Sequence, residues 1–200
     1  MSTNVLALLP ELILTLSGVL IMLAEPCLAP ASSRKPLGWI AISGTIAALV
    51  ASWYQVSLGT IHAFSNTIQV DAFSVLFHYV IGAVVLVTLL GSLSYFEGNA
   101  SHAGEYFALV CFGAVGMMLM TCSVELLMVF IGLEISSITT YILCGFRKGQ
   151  ATGSESSIKY FLLGSFATAF LLYGIALVFG ATGTTQIYKI AELVPLASLL

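Results

Sequence analysis

Six apolar runs follow one another along the chain, parted by short polar breaks. They predict helices at about Val5–Ala24, Leu37–Leu58, Ala72–Phe96, Tyr106–Cys122, Glu125–Phe146 and Ile158–Gly180. Most reach the ~20 residues that cross a bilayer core at 1.5 Å per residue. Short connections make sequence neighbours antiparallel. The stretch Gly59–Gln69 is too short to span and is expected at the surface. Asp71 stands just before the third run and can cap it. Thr152 and Glu155 have the spacing of a capping box, which puts the start of the sixth helix near Gly153.

Composition sharpens this pattern into a class. Of 200 residues, 59% are hydrophobic and 8% charged, with a mean hydropathy of +1.06. A soluble domain carries about 25% charged residues. The chain reads as an all-α polytopic membrane bundle, with residues 1–200 forming a single transmembrane domain. A net charge of −3 leaves no basic patch for nucleic acid. Cys27, Cys111, Cys122 and Cys144 are scattered without a Cys-x-x-Cys pair or metal-ligand spacing, and read as packing residues. Phosphate-binding loops and hydrolase or metalloprotease signatures are absent, so no cofactor and no metal is assigned to this chain.

Basic residues set the expected orientation. Arg34 and Lys35 fall between the first two helices, Arg147 and Lys148 between the fifth and sixth, and Lys189 alone falls on the other side. That asymmetry puts the N-terminus outside and loops one, three and five in the cytoplasm. Gly113 and Gly116, the pair Gly132 and Ser136, and the pair Gly164 and Thr168 are expected to let helices approach closely.

One charge stands deep in an apolar run. Glu134 lies near the middle of ELLMVFIGLEISSITTYILCGF, where a carboxyl costs roughly 2.5–3.5 kcal/mol to insert. A carboxyl whose protonation depends on a movable partner is a workable proton relay. The alternative is a structural glutamate bonded to Ser136, Ser137 or a neighbouring helix. Lys159 enters the next run only ~9 Å from its start, against ~18 Å for Glu134. It can snorkel to the interface or reach down through water, and direct contact with Glu134 is not implied. Glu11 and His78 lie within about two turns of the outer surface, and Glu25, Glu97, Glu105 and Glu125 at helix ends. His62 and His102 are in loops. All these read as structural, with His78 the one that could extend a relay.

The segments LLPELILTLSGVLIML, EYFALVCFGAVGMMLMTCSVELLMVFIGLEISSITTYILCGFRKG and SESSIKYFLLGSFATAFLLYGIALVFGATGTT resemble subunit N of bacterial respiratory complex I, the NADH–quinone oxidoreductase. GLE in the fifth run and SIKYFLLG in the sixth are its most specific parts. The resemblance implies an antiporter-like, proton-translocating subunit of about fourteen helices, of which this chain is the N-terminal portion. It implies that Glu134 is the proton-channel glutamate and Lys159 the lysine opening helix six. The lysine that normally pairs with Glu134 is expected beyond Leu200, with 181–200 beginning the connection to that second half. It further implies that FMN, iron–sulfur clusters and quinone belong to other subunits. The implied partners are neighbouring membrane-arm subunits and the bilayer of the bacterial inner membrane. Mrp-type cation/proton antiporter components, and a purely structural membrane-arm piece, are the alternatives.

Overall fold

The computed structural model describes residues 2–28, 32–96, 102–147 and 151–197. Glu97 and Lys148, placed above at a helix end and in a loop, and residues 198–200 lie outside them. The chain order is α1 (Ser2–Ala7), α2 (Leu9–Ala24), a 3-10 turn (Glu25–Cys27), α3 (Lys35–Ser57), β1 (Ile61–Ala63), β2 (Ile68–Val70), α4 (Ala72–Tyr95), α5 (Ala103–Thr121), α6 (Leu126–Cys144), α7 (Ala151–Thr182) and α8 (Ile187–Ala197). Six of these helices are long and apolar enough to cross a membrane. The first run breaks at Leu8, where Pro10 opens α2 and leaves α1 as a separate short turn of helix. Proline suits the start of a helix because its missing N–H would have no partner there.

Helices α2 to α5 enclose the core. Leu14 and Ile21 of α2, Leu37 and Ala41 of α3, Leu89 of α4, and Phe107, Cys111 and Met118 of α5 are all buried together. Helix α6 packs on α5, and α7 packs on α6 at the far side. Glycines decide both seams. A Cβ on Gly116 would stand 2.6 Å from the Gly132 carbonyl oxygen and 2.6 Å from the Ser136 amide nitrogen, so α5 and α6 meet backbone to backbone. A Cβ on Gly164 of α7 would collide with the Tyr141 hydroxyl of α6.

The two ends differ. At the end holding α1, the hairpin β1–β2 pairs Ile61 with Val70 and His62 with Gln69. Most of segment 59–69 is thus part of an ordered antiparallel hairpin, 61–70, whose Ile68 and Val70 are buried, while His62 faces outward. Backbone bonds extend the hairpin sideways. The Gln69 amide donates to the Cys122 carbonyl at 2.8 Å and the Val124 amide to Thr67 at 3.0 Å. Ile187 in turn donates to Val124 at 3.1 Å. Asp71 caps α4 as its position suggests, accepting from the Ser74 amide at 2.9 Å while the Ser74 hydroxyl accepts from the Asp71 amide.

At the opposite end, Glu25 is tied down. It accepts from Arg34 Nε at 3.0 Å and from the Gly104 amide at 3.1 Å, joining the α2–α3 turn to the start of α5. Helix α7 begins at Ala151, two residues before Gly153, so Thr152 lies inside the helix and is not its cap. Glu155 instead accepts from Lys159 one turn later.

Candidate functional site

Glu134 is the ninth residue of α6, with ten more before its end at Cys144. It is half-buried, and its Oε1 is enclosed without a hydrogen-bond partner among the described residues. Position on the helix explains this. At 100° per residue Glu134 falls about 200° from Gly132, the residue that meets α5. It therefore shares a stripe with Tyr141, which packs on α7, and borders the exposed face of Ile131, Ile138 and Ile142. Ser136 turns to α5 instead, and Thr139 donates to the Ser136 carbonyl at 2.7 Å. Neither neighbour satisfies the carboxyl.

Lys159 is on another part of the molecule. Its side chain is 73% exposed and is held by Glu155. Ser157 lies level with Gly145, because a Cβ on that glycine would stand 2.8 Å from the Ser157 Cβ. Counting residues from that contact leaves Lys159 roughly 13 Å above Glu134 along the bundle. The structure does not bring the two together.

It brings other residues together. Glu11 opens α2, His78 is in the second turn of α4, and Cys122 closes α5. All three are buried, at 4%, 0% and 1% exposure. His78 Nε2 is 3.5 Å from Glu11 Oε1, and Cys122 Sγ donates to the same oxygen at 3.8 Å. On the far side of the ring, Nδ1 is 3.3 Å from Ser52 Oγ of α3. Glu11 Oε2 and His78 Nε2 have no hydrogen-bond partner among the described residues. Burial pushes the Cys122 thiol well above its ordinary pKa, and the neighbouring Glu11 carboxylate adds to that. These groups read as structural one by one because each stands alone in its run. Only the packing of α2, α4 and α5 makes them a cluster.

Glu105 and Glu125 are also partnered rather than simply solvated. Glu105 is 3.0 Å from His102 Nδ1, and Glu125 accepts from Thr185 Oγ1 at 2.5 Å. Cys27 and Cys144 are exposed free thiols, and Cys111 is buried.

Residues 123–199, which include Glu134 and Lys159, match a family profile described as NADH:quinone oxidoreductase/Mrp antiporter, transmembrane. Over 92% of its length the chain is 45% identical to "NADH-quinone oxidoreductase subunit N 2" of Koribacter versatilis, covering 39% of that protein. It belongs to this family of antiporter-like membrane subunits. Another relative in the family is "F(420)H(2) dehydrogenase subunit N" of Methanosarcina mazei, 37% identical over 94% of the chain and 39% of that protein. The chain spans about two fifths of the length of these relatives, as an N-terminal region.

Two solved structures superpose on it. A chain of respiratory complex I from Thermus thermophilus matches with a TM-score of 0.67 and 33% identity, over 88% of this chain and 38% of that one. The archaeal membrane-bound sulfane sulfur reductase matches with a TM-score of 0.77 over 94% of this chain and 39% of that one. At 24% identity that second likeness speaks to the fold alone. The chain is a multi-pass membrane protein of this family.

Proposed function

We propose that the chain is the N-terminal part of a proton-translocating membrane subunit of NADH–quinone oxidoreductase. Glu134 is the carboxyl that takes up and releases the proton, and Lys159 is a modulating or relaying base near the cytoplasmic side. The observation that carries this reading is the Glu134 Oε1, enclosed at mid-helix and without a partner among the described residues. A carboxyl oxygen enclosed at mid-span without a partner is a group that a moving cation can engage, as ionisable residues in spanning helices commonly serve charge pathways. The similarity to subunit N relatives supports the assignment of the coupled reaction.

In this reading NADH oxidation, FMN, the iron–sulfur clusters and quinone reduction belong to partner subunits. Membrane-arm subunits of the antiporter-like type stand alongside. The exposed Ile131, Ile138 and Ile142 face of α6 supports such a neighbour or a further helix beside Glu134. The N-terminus and the β1–β2 hairpin face the outside, and Arg34, Lys35 and Arg147 face the cytoplasm.

Glu134→Gln in the assembled complex tests it. Proton pumping should fall strongly while assembly persists, because the substitution keeps the shape and removes the titrating group. Undiminished pumping would refute the role given to Glu134. The family description, which also covers Mrp antiporters, favours a second reading as a cation/proton antiporter component. Sodium extrusion by vesicles lacking any NADH dehydrogenase would select it.

A further inference from the structure

We infer that Glu11, His78 and Cys122 form a binding site for a zinc-like divalent cation beneath the β1–β2 hairpin. The donor set is one that such ions take: a carboxylate oxygen, an imidazole nitrogen and a thiolate sulfur. Their spacing fits too. Bonds of about 2.0 Å to oxygen and nitrogen and about 2.3 Å to sulfur place neighbouring ligands roughly 3.3–3.7 Å apart. Here Glu11 Oε1 is 3.5 Å from His78 Nε2 and 3.8 Å from Cys122 Sγ. All three donors lie within 4.8 Å of one another.

A second observation points to a ligand. His78 Nε2, which faces this point, and Oε2 of the same Glu11 carboxyl are buried and make no hydrogen bond among the described residues. Leaving such atoms unmatched in an apolar interior is costly, and a cation bound at this point gives Nε2 a partner. The Met118 carbonyl also faces the imidazole, and it is the competing acceptor when no cation is bound.

The surrounding groups set the imidazole correctly. With Nε2 on the metal, Nδ1 carries the proton and donates to Ser52 Oγ at 3.3 Å. The Ser52 hydroxyl in turn donates its hydrogen bond to the Ala48 carbonyl at 3.1 Å. Outer-shell hydrogen bonds of this kind fix the ring that a metal needs. Charge balances as well. Cys122 loses its thiol proton to solvent on binding, Glu11 binds as carboxylate and His78 as neutral imidazole. A divalent ion then leaves the site with no net charge, which a low-dielectric setting requires.

The test uses membranes holding the full-length protein in its native complex, stripped with a chelator, loaded with Zn²⁺ and washed. Zinc K-edge absorption, taken as wild type minus Cys122→Ser, should give a single sulfur neighbour at about 2.3 Å. Ser52→Ala should weaken zinc retention about 10–100-fold. Wild-type zinc content no higher than that of Cys122→Ser or Glu11→Gln overturns the site. Should Cys122→Ser fail to assemble, Ser52→Ala decides, and an unchanged zinc affinity there overturns it. None of these readouts depends on pumping.

Discussion

Gly116 and Gly132 oppose each other across the α5–α6 seam: a Cβ on Gly132 would stand 2.8 Å from the Gly116 carbonyl oxygen, and a Cβ on Gly116 would stand 2.6 Å from that of Gly132. Neither neighbour is a flexible side-chain tip, so neither can give way. Gly116→Val should therefore separate the helices and cost about 1–3 kcal/mol. Gly91→Ala, which meets nothing within 4 Å, should leave stability nearly unchanged. Unfolding in detergent micelles compares the two.

Gly164 governs the next seam. Tyr141 lies edge-on to Tyr160 at 4.8 Å and to Phe161 at 5.8 Å, which holds its hydroxyl over the glycine. Gly164→Val should push α7 away from α6. A disulfide between cysteines at positions 145 and 157 reports on this, since a Cβ on Gly145 would stand 2.8 Å from Ser157 Cβ and a shift of about 1 Å brings the pair to the roughly 3.5–4.5 Å that a disulfide spans. With Cys27 and Cys144 replaced by serine, cross-linking should be efficient in the parent. It should drop severalfold when Gly164→Val is added.

Lys159 and Glu155 separate stability from transfer. The pair is exposed, so Lys159→Ala should change stability by no more than about 0.5 kcal/mol. Under the proposed relay it should nonetheless lower proton pumping, whereas Glu155→Gln should not. Pumping unaffected by Lys159→Ala would make that lysine a surface anchor only.

Asp71 gives a pH signature. Burial acts to raise its pKa, but hydrogen bonds from the Ser74 amide, the Gln69 side chain and the Ser74 hydroxyl outweigh it and hold the carboxyl below its ordinary 3.8. A depressed folded pKa means the cap stabilises fully above the unfolded value and fades as pH drops through the folded one. Asp71→Ala should cost about 1 kcal/mol at neutral pH. The difference from wild type should shrink below pH ~4. Acid titration of thermal unfolding checks both.

The α-helical membrane class was legible because long apolar runs have few other uses. Asp71 was legible as a cap because capping is local. The hairpin was not, although Ile68 and Val70 flanking Gln69 carry the alternation that a half-buried strand requires. Glu134 stood out because one charge in a long apolar run is visible without any structure. Glu11 and Cys122 did not, being 111 positions apart and joined only by the packing of α2 against α5. Thr152 and Glu155 mimicked a capping box, and the helix simply began before them.

The length of α7 has its own consequence. Thirty-two residues make a rod of about 48 Å, well beyond the ~30 Å of hydrocarbon it must cross. Its opening turns, from Thr152 to Ser157, are polar, and they stand proud of the lipid like the grip of an oar. Lys159 follows two residues after that grip, and Gly164, where Tyr141 of α6 meets the rod, lies about 8 Å further along it.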